Sequence, residues 1–145
     1  MPTRNPVTAE MVTKWREKFK MIIRDLNECT CDGTLISFII LLYEITIVTM
    51  SFKYSPGKIA TYSCVSENVP CKYNSNMLVR MRDKLTHELY DIDNVAEFVL
   101  TGCDKFGKEN FDYLSHECFN DEIDLCNTIA YACNKILSKP RAIVF

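Results

Sequence analysis

A run from Thr34 to Phe52 contains nineteen residues that are mostly apolar, and Glu44 is the only charged one. As a helix it would be about 28 Å long, enough to cross the hydrocarbon core of a bilayer. An acidic side chain near the middle of such a span costs about 2.5–3.5 kcal/mol on insertion scales. We therefore expect a buried helix in a helical core, with a membrane-inserted protein organised around residues 34–52 as the alternative. The β-branched residues Ile45 to Thr49 would also suit a strand.

Apolar residues elsewhere recur at three- and four-residue steps, which is the spacing of amphipathic helices. Thr8 is the predicted N-cap of the first helix, and Gly33 is predicted to supply the left-handed backbone at its exit. Asp121 is the predicted N-cap of the last helix. The inward faces predicted for these two helices are Met11, Trp15, Phe19, Ile22, Ile23 and Leu26, and then Ile123, Cys126, Ile129, Ala130, Cys133 and Leu137.

Helix-breaking residues are concentrated between Tyr54 and Asn76, which include Ser55-Pro56-Gly57 and Pro70. We expect this segment to be a flexible loop with at most a short helix near residues 59–65. The remaining segments predict five amphipathic or buried helices joined by short connections. The predicted fold class is all-α, with residues 1–145 forming a single globular helical bundle around an apolar central helix.

The charge of the chain excludes one large class of partners. Seventeen basic and nineteen acidic residues give a formal net charge of −2, and the basic residues are spread along the chain. Nucleic acid is therefore not an expected partner. The first residues, Met-Pro-Thr-Arg-Asn-Pro, lack the apolar stretch of a secretory signal, so an intracellular, cytoplasmic location and reduced cysteines are expected.

Candidate catalytic and metal-binding residues are few, because His87 and His116 are the only histidines. Four zinc ligands could come from two short pairs, Cys29 with Cys31 and His116 with Cys118, but neither pair has the usual gap of a zinc motif. Cys103 as a nucleophile with His87 as base would need a polar setting, yet Cys103 lies late in an apolar helix. We therefore expect neither an enzyme nor a cofactor.

Residues 85–103 contain the end of one predicted helix and the start of the next. Asn94 can cap the second helix, and Glu97 can bond back to the Asn94 amide. The second helix is predicted to be the central one, since it is apolar on most sides through Val95, Phe98, Val99, Leu100, Cys103 and Phe106.

The residues at this junction resemble the first homology motif of the B-cell lymphoma (Bcl) family of apoptosis regulators. That motif reads Glu-Leu-Phe, an acidic turn, Asn-Trp-Gly-Arg and an apolar run. The corresponding residues here are Glu88-Leu89-Tyr90, Asp91 to Asp93, Asn94-Val95-Ala96-Glu97 and Phe98-Val99-Leu100. Val95, Ala96 and Glu97 replace the Trp, Gly and Arg of the family, and no Gly-Trp pair of the second motif is present.

The resemblance implies a surface groove that binds the amphipathic death helix of a pro-apoptotic protein. The groove residues that it implies are Glu88, Leu89, Tyr90, Asn94, Val95, Ala96, Glu97 and Val99. Glu97 replaces the arginine that usually pairs with the ligand's aspartate, so a matching ligand should bind weakly or selectively, or find its cation at Arg80 or Arg82. A bulky or charged residue in place of Ala96 is expected to abolish peptide binding without unfolding the protein.

The eroded motif is typical of small viral members of the family. The function that the resemblance implies is a viral-type inhibitor of apoptosis, acting in the host cytoplasm by sequestering pro-death proteins. A Bcl-like dimer that inhibits innate immune signalling is the alternative within the family. The identity of the death ligand and the oligomeric state are left open.

Overall fold

The helices of this protein are seen in a computed structural model that describes residues 5–139. Within that range there are seven α-helices and one short 3-10 turn at Leu89–Asp91, and no strand. The helices are α1 (Ala9–Glu28), α2 (Asp32–Tyr54), α3 (Ser63–Asn68), α4 (Lys72–His87), α5 (Val95–Phe106), α6 (Lys108–Phe119) and α7 (Leu125–Leu137). The prediction of an all-α helical bundle is confirmed, and the residues that also suited a strand are helical.

The central helix of the bundle is α2. Twelve of its residues are buried, and it packs against each of the other six α-helices. A helix that is apolar on all sides can satisfy its whole surface only when other helices surround it. By length and composition alone α2 could also cross a membrane, and 67% of its most apolar window is buried in this structure.

The prediction that residues 95–106 form the central helix is wrong. α5 is amphipathic, with one face in the core and charged residues on the other side. Phe98, Leu100 and Cys103 are only partly buried along the margin of the core face. The core face of α5 is made by Val95, Ala96, Val99, Gly102 and Phe106.

Two of the predicted helix caps are confirmed by hydrogen bonds. The Thr8 side chain accepts the Met11 N–H at 3.2 Å, and the Asn94 side chain accepts the Glu97 N–H at 3.1 Å. These bonds satisfy backbone donors in the first turns of α1 and α5, which have no partner inside the helix. Asn94 thereby fixes where α5 begins.

Two other predictions about helix ends are wrong. Gly33 lies in the first turn of α2, and α1 already ends at Glu28, so no left-handed glycine is needed there. Asp124 caps α7 by accepting the Asn127 N–H at 3.0 Å. Asp121 instead lies in the turn after α6, where its φ is 61°. It stands three residues before Asp124, the residue that caps α7.

Residues 54–76 contain more helix than predicted, namely α3 and the first turn of α4. Tertiary contacts order this segment. The Tyr62 hydroxyl donates to the Ser75 carbonyl, and the Tyr62 ring stacks on Tyr43 of α2 with centroids 5.9 Å apart. Val65 and Val69 are buried in the same core cluster. Such contacts outweigh the local preference of proline and asparagine for turns.

Candidate functional site at the junction of α4 and α5

A groove lies on the surface where α4 ends and α5 begins, and we call it the junction groove. Its volume is about 340 Å³. The end of α4, the turn that follows and the first two turns of α5 form its walls. The lining residues are Lys84, Asp91, Ile92, Asp93, Asn94, Glu97, Phe98 and Thr101.

The junction groove continues into a second cavity of about 620 Å³ that reaches the end of α7. Asp93, Asn94 and Glu97 line both cavities. Ile136 and Leu137 add apolar surface in the second cavity, as Ile92 and Phe98 do in the first. Glu97 therefore lies between two adjoining cavities, each of which also has two apolar lining residues.

The turn before α5 presents two large apolar side chains to solvent. The Asp91 N–H donates to the Glu88 carbonyl at 2.9 Å, and this hydrogen bond stabilises a 3-10 turn. No residue of the turn is buried. Leu89 is 40% exposed and Tyr90 is 84% exposed. Exposed aromatic residues beside a groove are typical anchors of protein interfaces.

Three of the residues that the resemblance assigned to a groove belong to the core instead. Val95, Ala96 and Val99 are buried, and Ala96 has an exposed fraction of 0%. Their side chains leave α5 on the face opposite to Glu97, and Phe98 lies at the margin between the two faces. The expectation that a bulky residue at Ala96 would affect only peptide binding is therefore wrong, since added volume there would overpack the core.

Arg80 and Arg82 do not line the junction groove. Arg80 is exposed and contributes to a separate cavity between α4 and α5, with Tyr73 among its other residues. The Arg82 guanidinium lies over the Tyr43 ring at 4.1 Å and pairs with Asp83 at 3.2 Å. The basic side chain that does line the groove is Lys84.

The junction groove is lined mainly by acidic residues. Asp91, Asp93 and Glu97 carry three negative charges against the single positive charge of Lys84, so the lining has a net charge of −2. Glu88 is exposed nearby in the chain. A ligand that places a carboxylate at Glu97 would be repelled, whereas one that places a lysine or arginine there would be attracted.

The candidate zinc ligands are used in other ways. His116 Nδ1 contacts Asp121 Oδ2 at 2.6 Å, and Cys118 is buried. Within residues 5–139 no group of three or more histidine, cysteine or acidic side chains is placed to hold a metal ion. Burial raises the pKa of the Cys103 thiol, which disfavours the thiolate that a nucleophile requires.

Comparisons with protein-family models, with curated proteins and with solved structures found no match to this chain.

Proposed function

We propose that this protein is a helical interaction domain of the Bcl type that binds an amphipathic helix in the junction groove. Its partners would be pro-death proteins, and their capture in the host cytoplasm would inhibit apoptosis, as in the viral members of that family. The observation that carries this proposal is the exposed Leu89-Tyr90 pair beside an open groove at the α4–α5 junction. The order of residues 88–100 supports it.

The apolar residues of the two adjoining cavities suit a helical ligand. An amphipathic helix presents anchors at three- and four-residue steps, which is the pattern that helix-binding grooves accept. Ile92 and Phe98 provide apolar wall on one side of Glu97, and Ile136 and Leu137 provide it on the other. Tyr90 is 84% exposed and directly precedes Asp91 of the groove lining, so its ring is available to a ligand.

The acidic lining defines which helices should bind. Because Asp93 and Glu97 line the groove, a ligand binds more tightly with a basic residue where death helices usually carry an aspartate. We therefore propose that the groove is selective for helices with a lysine or arginine at that position. Lys84 leaves one place at the rim for an acidic residue of the ligand.

Calorimetric titration with synthetic death-helix peptides tests this function. Each peptide is paired with a variant in which the central aspartate is replaced by lysine. We expect Kd values of about 1 μM or lower for at least one peptide, with the lysine variants binding more tightly. Light scattering in the same buffer reports the oligomeric state, and a dimer that excludes peptides would favour the immune-signalling alternative.

Two substitutions assign the binding to the junction groove. Tyr90→Ala should weaken binding about tenfold or more, because an exposed aromatic anchor is lost without any change in the core. Glu97→Arg should reverse the preference between the aspartate and lysine peptides. Glu109→Arg is the matched control, since Glu109 is also an exposed acidic residue in the first turn of a helix. Absence of binding by every peptide, or equal effects in the control, would contradict the proposal.

A further inference from the structure

Cys29 and Cys31 place two thiols side by side at the corner between α1 and α2. Cys29 is the C-cap of α1, and Cys31 is the N-cap of α2. Their sulfur atoms are 3.8 Å apart, with the Cys29 thiol donating to Cys31 Sγ. Cys29 is exposed and Cys31 is half-buried, so a small reagent can reach the pair.

The two thiols are chemically unequal. The Thr34 backbone N–H donates to the Cys31 sulfur, and this hydrogen bond is the main cause that lowers the pKa of Cys31. The hydrogen bond to Cys31 raises the pKa of Cys29. The thiolate therefore forms first on Cys31, at the positive end of α2, while Cys29 keeps its proton.

We propose that Cys29 and Cys31 form a redox-active dithiol that reduces low-molecular-weight disulfides of the glutathione type. The Cys31 thiolate attacks one sulfur of the small disulfide, forms a mixed disulfide and releases the first thiolate. Cys29 Sγ then attacks Cys31 Sγ, and its proton passes to the second departing thiolate. The pair loses two electrons as the Cys29–Cys31 bond forms, and the small disulfide gains them and becomes one thiol and one thiolate, which takes its proton from solvent.

Formation of this bond requires movement at the corner between α1 and α2. The sulfur atoms must move from 3.8 Å to about 2.0 Å apart, which is a bonded distance. Neither cysteine is inside a helix, because Cys29 has φ −133° and ψ 80° and Cys31 has φ −145° and ψ 172°. The residues that must adjust as the bond forms therefore lie outside α1 and α2. The chemistry is independent of the junction groove.

Peptide mapping of the full chain tests the proposal. The reduced protein is incubated with oxidised glutathione without oxygen, alkylated at intervals and digested with trypsin. Cleavage after Arg24 and Lys53 gives one peptide that contains Cys29 and Cys31 and no other cysteine. We expect this peptide to lose two hydrogen atoms as an internal disulfide, about tenfold faster than Cys71 acquires glutathione.

Cys71 is a suitable internal control for the rate. It is also the N-cap of a helix and is also half-buried, but its sulfur contact is the Asn74 side-chain amide at 3.3 Å. Any greater reactivity of the residue 25–53 peptide therefore reflects the second thiol and the Thr34 contacts. Equal rates at Cys71 and Cys31, or no internal disulfide, would overturn the proposal.

Two variants separate the roles of the thiols. Cys29→Ser should stop the reaction at a mixed disulfide between Cys31 and glutathione, because the second nucleophile is missing. Cys31→Ser should leave Cys29 about tenfold or more slower to react than Cys31 does in the wild type, because Cys29 lies at the C-terminal end of α1, where the helix dipole disfavours a thiolate. Circular dichroism verifies that both variants are folded. If either variant is not folded, the peptide mapping of the wild-type protein alone tests the proposal. Equal rates in the two variants would exclude the assigned roles.

Discussion

Gly102 lies where α5 packs closely against the Met81 side chain of α4. A Cβ atom built on Gly102 would be 2.3 Å from Met81 Sδ and 2.6 Å from Met81 Cγ. Met81 is fully buried, so its side chain has little room to move away. The glycine is thus required by the approach of the two helices, although glycine is a poor helix former.

Gly102→Ala should therefore lower the free energy of unfolding by about 1–3 kcal/mol, because overpacking outweighs the helix propensity of alanine. Urea denaturation followed by circular dichroism measures this change. Gly33→Ala is the control, since the nearest atom to its Cβ would be Cys31 Sγ at 4.0 Å. The control should be neutral or stabilise by up to about 1 kcal/mol. Equal stabilities of the two variants would show that α4 and α5 are less closely packed.

The pair of His116 and Asp121 makes stability depend on pH. The hydrogen bond from His116 to the Asp121 carboxylate, and then the charge of that carboxylate, raise the pKa of His116. Since the pKa is higher in the folded state, the contribution to stability is complete below the unfolded pKa of about 6.5. It is lost as the pH rises through the folded pKa.

Asp121→Asn should lower the pKa of His116, which NMR titration of the ring protons measures. Asparagine tolerates the positive φ of residue 121, so the turn should keep its shape. A pKa that does not move in the variant would mean that Asp121 has no effect on the histidine.

At the scale of elements, Asn110 joins α6 to the segment before α4. It is fully buried. Its Oδ1 accepts the Cys71 N–H at 2.9 Å, and its Nδ2 donates to the carbonyls of Phe106 at 2.8 Å and Cys71 at 3.2 Å. The Asn110 side chain therefore accepts the Cys71 N–H, which has no partner within the helix because Cys71 is the N-cap of α4. This bond orients the start of α4.

Asn110→Ala should reduce the free energy of unfolding by about 1–3 kcal/mol, because the partly buried Cys71 N–H loses its hydrogen-bond partner. Chemical denaturation measures the loss, and hydrogen exchange should show faster opening of residues 69–74. Asn74→Ala is the control, because Asn74 is exposed. A similar loss in the control would contradict the role given to Asn110.

The extent to which the sequence predicted these elements differs from helix to helix. The start of α1 was predicted correctly because Thr8 and the apolar spacing after it are local signals. Local sequence signals did not show which of α2 and α5 is the central helix. Both contain many apolar residues, but only α2 extends over 23 residues with apolar side chains on every side. The start of α4 was missed because it depends on Asn110 and Tyr62, which are distant in the sequence or outside the helix.

The candidate site was predicted in part. Asn94 and Glu97 do line the groove, and Phe98 and Thr101 continue the same face at helical spacing. The motif comparison also assigned residues 95, 96 and 99, which belong to the opposite face. Helical periodicity applied from Asn94 would have separated the two faces, since 94, 97, 98 and 101 follow one stripe. Lys84 could not be found this way because it comes from another helix.

At the scale of the whole molecule, the buried side chains form one main core cluster to which all seven helices contribute. A smaller cluster of Val7, Val12 and Val48 lies beside it, and Trp15 packs against both. Since α2 contacts every other helix, no helix can separate without exposing its surface. Such an arrangement favours all-or-none unfolding.

Urea denaturation should therefore give the same midpoint by Trp15 fluorescence and by far-UV circular dichroism. Trp15 is the only tryptophan and reports on α1, whereas circular dichroism reports on all helices. The slope should be about 1–3 kcal/mol per molar urea, as for other small domains. Gly102→Ala should move both curves together. Two separate midpoints would show that α1 unfolds independently.

The position of α2 in the chain affects how the protein can be made. Translation completes α2 at Tyr54, but the last helix that covers it ends at Leu137, 83 residues later. Translation adds about 5–20 residues per second, so about 4–17 s pass between the synthesis of α2 and that of the last helix that buries it. During that interval the nascent chain presents the same surface as a membrane segment. A ribosome-associated chaperone and the membrane-insertion machinery would then compete for the helix that becomes the core.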